Sequence, residues 1–97
     1  MSYFALIYTV VEDYVTRRMP FREEHLRLAR AAHQRGELLL GGALGDPPER
    51  ALLVFCVPDQ SVVEDFARHD PYVLNGVVVR WEVHPWAVVI GGHASVP

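Results

Sequence analysis

The sequence has one cysteine, Cys56, among its 97 residues. An intrachain disulfide is therefore excluded, and a chain without disulfides is typical of a reducing compartment, so we expect a cytoplasmic protein. Cys56 lies inside an apolar segment and is expected to be buried and unreactive. The sequence also lacks a basic, apolar leader before Tyr3 and any apolar run approaching the ~20 residues of a membrane span. We therefore expect no membrane partner.

Basic charge is also scarce, because nine Lys and Arg residues stand against twelve Asp and Glu, for a formal net charge of −3. A nucleic-acid-binding domain needs a basic face, and the apolar segments lack the basic and aromatic pattern of RNA-binding sheets. The sequence contains no P-loop, no glycine-rich dinucleotide motif and no nucleophile elbow. It therefore predicts neither a nucleic-acid partner nor a nucleotide cofactor.

Histidines are present, but they are not spaced as metal ligands usually are. No H-x-x-x-H or paired Cys/His spacing occurs. A metal site is left open as an alternative by four histidines, namely His33, His69, His84 and His93. Our preferred interpretation is a site without metal or cofactor.

The chain does contain enough apolar residues, 51% of the total, for one core in a single domain spanning residues 1–97. Apolar runs and alternation predict strands at 3–11, 37–44, 50–57 and 77–84. Apolar residues spaced by three or four predict helices at 21–34 and 61–69. The order β-α-β-β-α-β is typical of an α+β, ferredoxin-like fold with an antiparallel four-stranded sheet.

Local signals mark the ends of these elements. Met19-Pro20 precedes the first helix, and Gly36 follows it. Asp59 and Ser61 are candidate N-caps of the second helix, and Ser61 with Glu64 matches a capping box. The last strand alternates, which predicts one apolar side formed by Val77, Val79, Trp81 and Val83.

The predicted sheet has more apolar surface than two helices on one face can cover. The first and third strands are apolar on both sides, and an exposed apolar sheet indicates an interface. We therefore expect a homodimer that packs sheet against sheet. The segment 87–90 could add a further edge strand or reach the partner. Gly41-Gly42 in the second strand indicates a bulge or a close backbone approach.

His25 and Asp70 are the residues best suited to acid–base chemistry. His25 lies on the apolar stripe of the first helix, and Asp70 stands where Pro71 ends the second helix. A carboxylate is poorly placed at a helix C-terminus unless it caps locally, meets water or faces a cation. His25 is the best-placed cation, and we expect Asp70 to approach it directly or through one water. The alternatives are a histidine bonded to a backbone carbonyl and an aspartate that only shapes a turn.

Other candidates surround this pair. Arg22 lies one turn before His25 and could bind a substrate anion, or it could simply be solvated. Arg18 is a further candidate whose backbone context is less defined. Tyr8 and Tyr72 could line a pocket, although aromatic packing explains them equally well.

Three stretches of the sequence resemble the YCII family, which is a family of dimeric α/β-barrel proteins. The first stretch is Arg18-x3-Arg22-x2-His25-Leu26, continuing to Gly36. The second is 38–44 with its glycine pair. The third is Asp70-Pro71-Tyr72 with Gly76-Val77, closing in Val83-His84-Pro85-Trp86. The chain differs from the family in having Gly42-Ala43 where Gly-Pro is common, and in its short loop at 45–49.

The resemblance implies a shared His25/Asp70 site that performs general acid–base chemistry without a cofactor. It implies a lyase-like elimination or an isomerisation of a small cyclic or anionic metabolite. The implied substrate-binding residues are Arg18, Arg22, Tyr8, Gly42 and Tyr72. Two alternatives remain open: a dimeric domain that binds a small ligand without turnover, and a purely structural dimerisation module.

Overall fold

A computed structural model describes residues 1–92 of the chain. The strands are β1 (Ser2–Val10), β2 (Leu38–Leu44), β3 (Arg50–Val57) and β4 (Val78–Trp86). The helices are α1 (Tyr14–Arg17), α2 (Arg22–Gln34), α3 (Gln60–His69) and α4 (Pro71–Leu74), with a 3-10 turn at Met19–Phe21. The strands form one antiparallel sheet in the order β2-β3-β1-β4. The predicted α+β fold is confirmed, and α1 and α4 are additions to it.

The core lies between the helices and one face of the sheet. On β1 every second side chain points to the helices, and Phe4, Leu6, Tyr8 and Val10 are buried there. Their neighbours across β3 are buried too, because directly paired residues share a face of the sheet. The alternation of β1 therefore places Tyr8, a polar-tipped residue, inside the core.

The helix that precedes the Asp-Pro break begins at the first of its two predicted N-caps. Asp59 is the N-cap of α3, and its carboxylate accepts the backbone N–H of Ser61 at 3.2 Å. The expected Ser61/Glu64 capping box is wrong, since Glu64 instead accepts the side-chain amide of Gln60 at 3.3 Å. Asp59 can cap the helix because its backbone is extended, as the N-cap position requires.

Asp70 belongs to two helices, which the sequence did not indicate. It ends α3 with extended backbone angles, φ −69° and ψ 121°, as expected before a proline. It is also the N-cap of α4, which starts at Pro71. Its carboxylate therefore lies at the positive end of a new helical turn as well as at the negative end of the old one.

Each edge strand carries an irregularity. In β4 the register against β1 shifts between Thr9 and Val10, so Val78 is buried while Val79 is 61% exposed. The expected alternation through Val79 is therefore wrong, because a bulge resets the faces of the strand. In β2 the shift falls between Leu38 and Leu40, just ahead of the glycine pair.

Gly41 marks a close approach between neighbouring strands. A Cβ at this position would lie 3.2 Å from Cγ of Leu53 on β3, whereas a Cβ at Gly42 would meet nothing within 4 Å. The first glycine of the pair therefore has a packing reason, as the sequence suggested.

The sheet face turned away from the helices is largely apolar. Ala5, Ile7, Leu52 and Cys56 are half-buried on it, so Cys56 is less buried than expected. Residues 87–90 form no additional strand within the chain. No helix within residues 1–92 is long and apolar enough to cross a membrane.

We expect this face to join two copies of the chain, with roughly 2,000 Å² or more buried in total. Sedimentation velocity should then give a dimer at micromolar concentration. Leu40→Glu should dissociate it, since Leu40 pairs with Val54 on the open face and is 65% exposed. Leu74→Glu is the matched control, because Leu74 is 68% exposed but lies in α4, on the helical side. A monomeric wild-type protein would contradict this expectation.

Candidate active site

A cleft of about 450 Å³ opens between α2 and the edge strand β2. The apolar part of its wall comes from Leu26 and Ala29 on α2 and from Leu38 and Leu53 on the sheet. The polar part of its wall comes from Tyr8, Tyr14, Arg18, Arg22, His25, Arg30, His33 and Tyr72. A concave, mostly apolar site with a few convergent polar groups is typical of small-molecule binding.

Behind this wall lies Asp70, whose side chain is fully buried, at 0% exposure. Three groups reach its carboxylate. The hydroxyl of Tyr8 donates to Oδ2 at 2.7 Å, and the backbone N–H of Tyr72 donates to Oδ1 at 2.9 Å. His25 Nδ1 lies 2.9 Å from Oδ1 and 3.0 Å from Oδ2. A buried carboxylate is tolerated only when it is satisfied in this way.

The imidazole of His25 is held from two directions. The first is Asp70, which contacts the ring directly and not through a water molecule, one of the two arrangements expected from the sequence. A carboxylate oxygen accepts hydrogen bonds, so the contact with Asp70 favours the tautomer with the hydrogen on Nδ1 and the lone pair on Nε2. The ring also stacks on Tyr72 at 3.8 Å between centroids and 7° between planes. Nε2 has no hydrogen-bond partner among residues 1–92, and the side chain is 14% exposed.

Two of the three tyrosines of the site, Tyr8 and Tyr72, have raised pKa values and are neutral at ordinary pH. Burial, followed by the charge of Asp70 and the hydrogen bond to it, raises the pKa of Tyr8 far above its usual value of 10.0. Burial is also the main reason why the pKa of Tyr72 is raised to about 12, with Tyr14 adding to it. Tyr8 therefore remains a hydrogen-bond donor to Asp70 rather than a second base.

Arg18, at the C-terminal end of α1, contacts an aromatic ring of the site. Its guanidinium carbon lies 4.9 Å from the centre of the Tyr14 ring, which is a cation–π distance. Tyr14 in turn meets Tyr72 edge-on, at 5.9 Å and 87°. Rings and guanidinium thus form a continuous series of contacts from Arg18 to His25.

The structure brings the sequence-predicted residues together. Six of them line the cleft, namely Arg18, Arg22, Tyr8, Gly42, Tyr72 and His25, and Asp70 lies behind it. The position of Tyr8 differs from the expectation in one respect, because its hydroxyl is bonded to Asp70 rather than turned to the pocket alone.

Sequence reasoning missed three polar residues of the wall, Tyr14, Arg30 and His33. The helical spacing of Arg22, Arg30 and His33 could have suggested a common side of α2. Tyr14 gave no such signal, because it lies in a polar segment that was not predicted to be helical. His33 itself contacts the backbone carbonyl of Leu38 at 2.7 Å through Nδ1.

The other histidines lie apart from one another. Within residues 1–92 no three His, Cys, Asp or Glu side chains are arranged to hold a metal ion. His69 Nδ1 lies 2.7 Å from the carbonyl of Asp65, and His84 Nε2 lies 3.0 Å from Glu82 on the open face. His93 falls outside the described residues.

Comparison with known proteins identifies the family of the chain. The family model of the YCII-related domain matches residues 1–87. The chain belongs to the YCII family. A search of curated proteins found no match.

A solved structure is similar to this YCII chain. It is the 5-chloro-2-hydroxyhydroquinone dehydrochlorinase of Burkholderia phenoliruptrix in complex with 2,5-dihydroxybenzoquinone. The TM-score is 0.71 at 16% sequence identity, over 87% of this chain and 92% of that one. At this identity the likeness concerns the fold, which the two proteins share.

Tyr8→Phe should destabilise this YCII domain by about 1.5–3 kcal/mol, because it removes a hydrogen bond to a buried carboxylate. Tyr72→Phe is the matched control, since the Tyr72 hydroxyl has no hydrogen-bond partner among the described residues; it should change stability by less than about 0.5 kcal/mol. Urea unfolding at fixed protein concentration measures both. Equal losses in the two variants would contradict the assigned role of the Tyr8 hydroxyl.

Stability should also fall at alkaline pH. Above pH 10 the tyrosines of the unfolded chain lose protons, while the raised pKa values keep Tyr8 protonated in the folded chain and Tyr72 protonated until about pH 12. The folded state then binds more protons, so each residue lowers stability by up to about 1.4 kcal/mol per pH unit in this window. Urea unfolding between pH 9 and 11.5 should show a shallower decline for Tyr8→Phe than for wild type. An unchanged slope would be inconsistent with a buried, protonated Tyr8.

Proposed function

We propose that the chain, as one domain, is a cofactor-independent acid–base enzyme that performs an elimination or isomerisation on a small cyclic or anionic compound. The observation that supports this most is the direct contact between His25 Nδ1 and the buried Asp70, at 2.9 Å. His25 also lines the cleft, and its opposite ring nitrogen, Nε2, has no hydrogen-bond partner among residues 1–92. We propose that His25 and Asp70 are the catalytic pair.

In this proposal His25 Nε2 accepts a proton from the substrate. Histidine suits that task because its ordinary pKa is close to neutrality. Asp70 acts through His25, as it fixes the tautomer and stabilises the imidazolium that forms. In an elimination the leaving group departs with its bonding electron pair, and the imidazolium then returns the proton to the leaving group or to water.

The remaining wall residues would hold the substrate. Arg18 and Arg22 would bind a negative charge of the substrate. Tyr72 would fix the orientation of the His25 ring by stacking on it, and Gly42 would leave space for the substrate at the edge of the sheet. Tyr8 would position Asp70.

Membership in the YCII family and the fold shared with a dehydrochlorinase support the lyase class. That enzyme's name points to hydroxylated six-membered rings as the first compounds to test. We further propose that the working unit is a cytoplasmic homodimer joined through the open sheet faces. The apolar side chains on that face support the dimer.

A second candidate function is a domain that binds a small ligand in the same cleft without turnover. The observation that favours it is the low exposure of the His25 side chain, 14%, beside a cleft that can itself hold a small molecule. Turnover separates the two functions.

The test is a screen of chlorinated and unchlorinated hydroxyhydroquinones for chloride release or tautomerisation. His25→Gln should lower kcat/KM by about 10²–10⁴, because a general base contributes in that range. His33→Gln is the matched control on the same helix and cleft, and it should lower kcat/KM by less than tenfold. Activity that survives His25→Gln would exclude this mechanism, and binding without turnover in wild type would favour the second function.

Asp70→Asn should lower kcat by at least tenfold while the protein stays folded. The amide can still occupy the site, but it cannot accept from all three donors and so disturbs the tautomer of His25. Circular dichroism and sedimentation would establish that the fold persists. A folded Asp70→Asn variant with full kcat would show that Asp70 has no part in the chemistry.

A further inference from the structure

Arg18 is a partly buried cation whose Nε atom is not hydrogen-bonded. This Nε is the only buried side-chain nitrogen or oxygen within residues 1–92 that has no hydrogen-bond partner. A buried donor without an acceptor is unfavourable, and more so when it carries charge. The contact with the Tyr14 ring offsets part of this cost, but a ring face is a much weaker acceptor than an oxygen atom.

Most arginines outside the cleft have acidic partners. Four of these six arginines form ion pairs, namely Arg27 with Glu24, Arg35 with Glu37, Arg68 with Asp65, and Arg80 with Glu82, whereas the exposed Arg17 and Arg50 form none within residues 1–92. The three arginines of the cleft, Arg18, Arg22 and Arg30, form no ion pair with an acidic residue of the described chain. No Asp or Glu lines the cleft, although acidic residues outnumber basic ones in the chain.

The cleft therefore has a positive end close to the imidazole. Arg22 lies one helical turn before His25, and the ring contacts through Tyr14 and Tyr72 connect Arg18 to the same imidazole. A volume of about 450 Å³ suits a single ring with substituents. One small ligand can thus meet the arginines and Nε2 together.

We propose that the substrate is a ring compound with a carboxylate that binds Arg18 and Arg22, while a ring hydroxyl faces His25 Nε2. The hydroxyl part rests on the proposed function, whereas the carboxylate part rests on the arginines alone. A guanidinium matches a carboxylate in planar, bidentate geometry. The apolar wall formed by Leu26, Ala29 and Leu38 suits a planar monoanion better than a strongly hydrated phosphate dianion.

Isothermal titration calorimetry with two matched probes tests the subsite. The probes are 2,5-dihydroxybenzoate and 2,5-dihydroxybenzamide, which share shape and hydroxyls but differ in charge. Wild type should bind the benzoate at least tenfold more tightly than the benzamide. Arg18→Met and Arg22→Met should each reduce this preference to less than threefold, because methionine keeps an apolar stem but has no charge.

Arg27→Met is the matched control, since Arg27 lies on the same helix but pairs with Glu24 outside the cleft. It should keep the full preference. Arg18→Met should be no less stable than wild type, whereas removal of an arginine with a purely structural role would lower the free energy of unfolding. If Arg18→Met does not fold, Arg22→Met alone tests the proposal. Equal binding of the two probes by wild type, or a preference that persists in both cleft variants, would overturn the proposal.

Two further measurements distinguish the carboxylate subsite from the proposed acid–base mechanism and from a phosphate site. His25→Gln should retain the preference for the benzoate, so failure of the acid–base mechanism alone would leave the subsite intact. Inorganic phosphate should displace the benzoate only weakly, with an inhibition constant at least tenfold above the benzoate Kd. Tighter binding of phosphate would overturn the assignment of the subsite to a carboxylate.

Discussion

The buried carboxylate of Asp70 is the constraint on which the candidate site depends. A charge without exposure to water needs several donors, and each of the three comes from a different part of the fold. Tyr8 arrives from the central strand β1, 62 residues away, and His25 from α2, 45 residues away. The third donor is the backbone of α4, two residues on. The register of the sheet, the position of α2 and the turn at Pro71 must therefore all be correct before the imidazole is oriented.

Much of this arrangement was predictable from local patterns in the sequence. Periodicity gave the four strands and the two long helices, and Pro71 gave the extended backbone of Asp70. His25 was recognisable because a titratable side chain on an apolar helical stripe must face the interior. These features depend on residues close together in the chain, so single-sequence reasoning reaches them.

Features that depend on distant residues were not predictable. The hydrogen bond from Tyr8 requires the pairing of β1 with β3 and β4, which places its side chain on the helical face. The bulge at Val79 is also decided by pairing with a distant strand, β1. α4 was missed because Pro71 is both a signal that ends one helix and a preferred first residue of the next.

The cleft uses the edge strand β2 as one wall, and this has a consequence for how the site can diverge. β2 has a sheet neighbour on one side only, and it lies farthest from β4 in the strand order. The residues that hold Asp70 belong to β1, α2 and α4. Substitutions or a change of loop length around Gly42 and the turn at 45–49 could therefore reshape the ligand wall while the acid–base pair stays in place. The part of the ligand wall that β2 supplies is thus separable from the residues that hold Asp70, whereas Arg22 and His25 lie on the same helix and cannot be moved independently.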